Sequence, residues 1–146
     1  MEITEVRVRL ASSANNRLKA FCSMTIDNEF VVRDIKVIER EGKYLVAMPS
    51  RKMTDRCGKC GGKNHLRAKF CNACGNRLRD NRARKNGKGR AALHADIAHP
   101  INGKCRHRIQ ESVLAAFEQE LKKSRQPGYR PPRPDELDDD VPEVIR

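Results

Sequence analysis

Two short phrases, Cys57-Gly58-Lys59-Cys60-Gly61 and Cys71-Asn72-Ala73-Cys74-Gly75, constrain this chain more than any other feature. Each sets two thiols three positions apart and follows the second with glycine, and ten residues separate the phrases. A tetrahedral ion needs four ligands, and each such knuckle wraps two sulfurs around part of its shell. The trailing glycine lets the backbone turn and bring N–H groups toward the sulfurs. Cys57, Cys60, Cys71 and Cys74 are therefore the expected ligands of a zinc ion. The stretch between them has too little apolar surface to fold unaided, so binding would supply folding free energy on the order of 10 kcal/mol. Four thiolates leave no open coordination position, which points to a structural rather than a catalytic centre.

Other uses of paired cysteines fit less well. A thioredoxin-like redox pair follows a hydrophobic strand, which neither knuckle has immediately before it. A c-type haem needs histidine after the second cysteine, where Gly61 and Gly75 stand. Disulfides form in oxidising compartments. The first ten residues alternate charged and apolar types, so no secretory leader is expected there. Iron could occupy the same cage, as in rubredoxin, but is less favoured in so basic a setting.

Charge is concentrated around the cysteines. The 146-residue chain carries 31 Lys+Arg and 19 Asp+Glu, a formal net charge of +12. Residues 51–90 hold fourteen of the basic groups: Arg51, Lys52, Arg56, Lys59, Lys63, Arg67, Lys69, Arg77, Arg79, Arg82, Arg84, Lys85, Lys88 and Arg90. Only Asp55 and Asp80 oppose them, and the rest of the chain balances to zero. A block this dense attracts polyanions by counterion release, and all fourteen are candidate nucleic-acid contacts. Aromatic residues are 4% of the chain, and Phe70 is the one aromatic in the block. Binding is thus expected to run through the phosphate backbone with little sequence selectivity. No run approaches the roughly 18 apolar residues of a membrane span.

The flanking segments read as regular structure. Residues 3–10 alternate with the two-residue period of a half-buried strand, and 18–26, 29–39 and 43–48 follow as three more. Turn residues at 12–16, Asp27-Asn28 and Glu41-Gly42 join them, and Pro49 ends the last. Short connections favour an antiparallel meander. Over 103–124 Ile109, Val113, Leu114, Ala116, Phe117 and Leu121 recur at helical spacing, with Asn102 as N-cap and Pro127-Gly128 as stop. The fold class is α+β: a small antiparallel sheet, a C-terminal amphipathic helix and an inserted metal module. Residues 1–55 with 93–124 form the sheet domain, 56–78 the ribbon, 79–92 a flexible basic linker and 125–146 a disordered Pro-rich acidic tail. One helix leaves part of the sheet uncovered, which gives a physical motive for a homodimer.

The remaining reactive residues suggest no catalytic constellation. His65 lies between knuckles whose shell is already complete. Cys22 and Cys105 read as buried or incidental thiols. His99 and His107 lack triad partners, and Asp138-Asp139-Asp140 reads as solvated tail. Gly87-Lys88-Gly89 lacks the strand and helix of a phosphate loop. We expect no enzyme and no small-molecule substrate.

With the knuckles set aside, the chain resembles the SpoVG (stage V sporulation protein G, septation regulator) family. The matching phrases are residues 1–9, Leu18-Lys19-Ala20, Asp27 with 29–38, and Val46-Ala47-Met48-Pro49-Ser50-Arg51-Lys52. Asp96-Ile97-Ala98-His99-Pro100-Ile101-Asn102, Arg108-Ile109-Gln110 and Val113-Leu114 complete them. Separately, 57–78 resembles a short zinc ribbon, with Phe70 before its second knuckle and Asn76-Arg77-Leu78 after it. The family resemblance implies a homodimer that binds DNA and RNA in bacterial gene regulation, hence a cytoplasmic location. It also implies nucleic-acid contact at Arg51 and Lys52. Typical members join that pair to D-I-A-H-P-I by a few residues; here roughly 56–92 intervene. The expected function is a nucleic-acid-binding regulator with a structural zinc ribbon; the alternative is a ribbon adaptor that docks on a nucleoprotein or acidic partner.

Overall fold

The computed structural model describes residues 1–12 and 16–133. It divides into two compact units, Met1–Pro49 with Ala98–Arg146, and Ser50–Ile97. In the first, β1 (Ile3–Leu10), β2 (Leu18–Ile26), β3 (Phe30–Arg40) and β4 (Lys43–Ala47) form an antiparallel meander in the order β1-β2-β3-β4. Each turn follows from its residues. Asp27 and Asn28 both adopt positive φ between β2 and β3, which short polar side chains tolerate. Glu41 (φ 54) and Gly42 (φ 75) make a two-residue hairpin that pairs Arg40 with Lys43, the twist-matched mirror-image turn.

β3 carries one extra residue opposite β2: Cys22 faces Ile35 and Met24 faces Val32. The bulge falls at Asp34, which has φ 59. It shifts the alternation so that Val32, Ile35 and Val37 all serve the same apolar face. Periodicity alone misses this step, because a strict two-residue count would turn Ile35 outward.

Across that face lies α1 (Gly103–Ser124). Asn102 caps it, its Oδ1 accepting the Cys105 N–H at 2.8 Å, and Lys122 and Lys123 sit in the last turn. Ile109, Val113 and Phe117 are buried against Val8, Ala20, Cys22, Met24, Ile35 and Val37, with Leu114, Ala116 and Leu121 packed around them. Phe117 meets Tyr44 edge-on at 4.9 Å. Burial pushes the Cys22 thiol up to about 12, which makes it an inert core group. Within the segment expected as tail, Tyr129 donates to Glu120 Oε1 at 2.6 Å, tying the chain after α1 back to the helix. Residues 134–146, Asp138–Asp140 included, lie outside the described residues.

The second unit holds the short strands β5 (Ser50–Lys52), β6 (Thr54–Arg56), β7 (Lys63–His65) and β8 (His94–Asp96). β5 pairs with β8 and β6 with β7, both antiparallel. The unit is wider than the expected insertion at 56–92, because β5 and β8 close its base.

Phe117 is the largest fully buried side chain of the first unit. Replacement by alanine is expected to cost about 3–5 kcal/mol, and Asn102→Ala about 1 kcal/mol through the lost cap. Urea denaturation followed by far-UV circular dichroism measures both.

Candidate metal centre and basic surface

The two knuckles have the same backbone geometry. The N–H groups of Gly61 and Gly75 donate to the carbonyls of Cys57 and Cys71, at 2.9 and 3.0 Å, with both glycines at φ 75. The Cys57 and Cys71 N–H groups donate in turn to the Gly62 and Asn76 carbonyls at 2.8 Å. Side chains would be strained at that φ, so the glycine after each second cysteine is a requirement of the turn. The result brings the four Sγ atoms within 4.8 Å of one another. The Cys57–Cys74 and Cys60–Cys71 separations are 3.8 and 3.5 Å. A tetrahedron with metal–sulfur bonds of about 2.3 Å has edges of about 3.8 Å, so the sulfurs stand close to the positions that an ion requires.

Hydrogen bonds prepare the sulfurs for a cation. Cys71 Sγ accepts the N–H groups of Ala73 and Cys74 and the Nδ2 of Asn64, at 3.4, 3.5 and 3.4 Å. The Cys74 N–H first, then Asn64, holds the Cys71 thiol down to about 6. The Cys60 and Lys59 N–H groups likewise lower Cys57. At Cys60 the Gly62 N–H pulls downward, but the Cys71 and Cys74 sulfurs outweigh it and push the thiol up to about 11. A cation would turn that mutual repulsion into shared attraction. The donor set and its spacing fit a four-thiolate metal site.

Asn64 escaped the reading of motifs. It is buried at 3% exposure; Oδ1 accepts the Asn72 N–H at 2.7 Å, and Nδ2 reaches both Cys71 Sγ and the Gly62 carbonyl. One side chain thus fastens the two knuckles together. The apolar content of the module is small: Leu78 and Ala68 pack against Cys57 and Cys71. His65 points elsewhere, its Nδ1 accepting the Arg67 N–H at 3.1 Å.

Thirteen of the fourteen basic candidates are exposed. Arg51 and Lys52 lie on β5, Arg56 on β6 and Lys63 on β7; Lys59 sits in the first knuckle. Arg67, Lys69, Arg77 and Arg79 flank the second. Arg82 is the exception, being partly buried. Its guanidinium pairs with Asp55 and donates to the His65 and Ala68 carbonyls at 3.0 and 2.8 Å. Asp55 gives this cation an internal partner, so the group is spent on folding.

That clasp is one of several contacts made by 79–92. Beyond it, Asn86 Oδ1 accepts the N–H groups of Lys88 and Arg90, both at 3.0 Å, and Gly89 turns at φ 73. The Ala92 N–H donates to the Arg84 carbonyl at 2.7 Å, and Lys85 bridges Ala91. Arg84, Lys85, Lys88 and Arg90 therefore project from a closed turn, a shape that Asn86-Gly87 signals and charge counting misses.

Elsewhere the remaining reactive candidates stay apart. His107 pairs with Glu111 along α1 at 2.9 Å, His99 is exposed, and Cys105 packs half-buried at the start of the helix. No helix among the described residues is long and apolar enough to cross a membrane.

The SpoVG family profile matches residues 1–119, the larger part of the chain. The chain belongs to the SpoVG family. A relative from Clostridium acetobutylicum is 37% identical over 118 residues, covering 81% of this chain and 85% of its own length. Relatives from Acetivibrio thermocellus and Lachnoclostridium phytofermentans are 38% and 39% identical, with 86% and 87% of their lengths covered. All three bear the name of a septation protein SpoVG. The sheet and helix carry the family phrases, and the cysteine-bearing unit sits between them in this SpoVG sequence.

Removing metal should unfold the cysteine unit alone. With a strong chelator present, amide resonances of residues 54–92 are expected to collapse toward random-coil positions while those of β1–β4 and α1 persist. Asn64→Ala is expected to weaken metal binding about 10- to 100-fold in chelator competition, since it removes a group that orients a ligand.

Proposed function

We propose that this SpoVG-family chain is a homodimeric DNA- and RNA-binding regulator of the bacterial cytoplasm. Its cysteine unit is a zinc ribbon that adds phosphate contacts. The observation that carries the reading is the set of thirteen exposed cations on one small unit, next to an otherwise charge-balanced chain. Zinc suits the cage because four thiolates in a closed tetrahedron are its usual structural site, and it brings no redox chemistry. Four thiolates and one divalent ion sum to a charge of about −2, which surrounding cations such as Lys59 and Arg56 offset. With every coordination position filled by the chain, the ion has no place for a substrate, and we assign the protein no catalysis.

The septation names of the relatives support a place in the control of cell division or development. A twofold dimer fits the sheet, whose outer strands β1 and β4 each have one neighbour. Two copies double the basic surface, so each linked contact gains from the effective concentration of the other.

If about six phosphates are neutralised, log K against log salt should fall with a slope near −5 on duplex DNA. Replacing residues 56–92 by a short Gly-Ser loop should then lower affinity at least about tenfold at near-physiological salt. Fluorescence anisotropy at several salt concentrations measures both. A salt-independent affinity would sink the reading. Unchanged affinity after excision would return recognition to the sheet unit and leave the ribbon as an adaptor for protein.

A further inference from the structure

Among the described residues of Ser50–Ile97, Phe70 is the one Phe, Tyr or Trp, and it is 57% exposed. It immediately precedes a ligand position, yet Leu78 and Ala68 fill the apolar cluster around Cys57 and Cys71 without it. The ring face is therefore left open to solvent. The ring is also held in place. Phe70 and Arg77 face one another across an antiparallel bridge, and the Leu78 N–H donates to the Lys69 carbonyl at 2.8 Å. The turn between them is the second knuckle, closed by the Cys71 N–H on the Asn76 carbonyl at 2.8 Å. Over the ring, at 5.3 Å from its centroid, lies the Arg77 guanidinium. Its ion pair with Asp80, at 3.9 Å between well-exposed side chains, is weak and easily exchanged for a phosphate.

We propose that Phe70 and Arg77 form a stacking platform for one unpaired nucleobase, so that the ribbon prefers single-stranded to duplex nucleic acid. The proposal rests on the nucleic-acid reading above and adds the class of strand. Lys69 and Arg79, the exposed neighbours of the pair, would hold phosphates on either side. Phosphates are present in single strands and duplexes alike, so the cations by themselves do not discriminate. A π-face is offered only by a base outside a helix stack, and every base has one, so the platform selects strandedness rather than sequence. An apolar pocket on a partner protein could also take an exposed ring. The flanking cations and the guanidinium laid on its face match an anionic, aromatic ligand better.

The test uses the full metal-loaded chain and single-stranded RNA and DNA 12-mers carrying 2-aminopurine, with matched duplexes as controls. Phe70→Leu keeps apolar bulk without an aromatic face, and Phe70→Trp enlarges the face. Equal metal content and circular dichroism establish that each variant is folded. We expect Phe70→Leu to weaken single-strand binding about tenfold and to leave duplex affinity within about twofold. Phe70→Trp should keep the affinity and deepen the 2-aminopurine quench. Unchanged single-strand affinity in Phe70→Leu, or equal loss on both strand types, overturns the platform while leaving the salt-dependent reading standing. Loss of a copurifying protein from Phe70→Leu with unchanged nucleic-acid binding also overturns it and assigns the ring to protein docking. Wild type that binds neither strand type removes the nucleic-acid reading itself.

Discussion

On the proposed reading, the second unit depends on the attraction of four sulfurs for one cation. Ser50–Ile97 has four short strands but almost no apolar interior: Leu78, Cys57 and Cys71 are its buried apolar groups. Such a core cannot offset the backbone entropy of ordering the unit. An ion held by the four sulfurs would, and everything around it would then have a fixed frame. Asn64 locks one knuckle to the other, the bridge from Phe70 to Arg77 grows from the second, and Arg82 folds the following chain back onto β6 through Asp55. Without the cage, these contacts would be local preferences of a highly charged peptide.

The sheet–helix unit is built on the opposite principle. Its ion pairs are at the surface, and its stability comes from apolar side chains of β1–β3 pressed against Ile109, Val113 and Phe117. With an ion in the cage, two small units of one chain would solve the folding problem with different forces, one with burial and one with coordination. The charge follows the same division. A unit held by burial needs apolar residues and can be charge-balanced, whereas a unit held by metal is free to spend its side chains on the surface. Lysine and arginine occupy that surface here.

Much of this was legible beforehand, and the exceptions share a cause. The four long strands, the helix with its Asn102 cap and the cysteine quartet follow from periodicity, capping chemistry and spacing, which are local signals. Both glycines behind the knuckles adopt the positive φ that their position demands. What escaped depends on contacts across sequence. The bulge at Asp34 is visible only against β2; β5 and β8 are three residues long and pair across more than forty positions; Asn64 is an ordinary polar residue until its two knuckles meet. Arg82 could not be told from its thirteen basic companions, because Asp55, its partner, lies 27 residues earlier.

The pairing of β5 with β8 brings the two ends of the cysteine unit together. Ser50 lies opposite Asp96, so the strands that lead into and out of the cysteine unit run side by side. Partners in an antiparallel ladder are only about 5 Å apart. A host loop that accepts such a unit needs to open by no more than the width of a hairpin, and its own ends need not move. The same stem offers protein engineers a narrow socket for grafting other loops onto this scaffold.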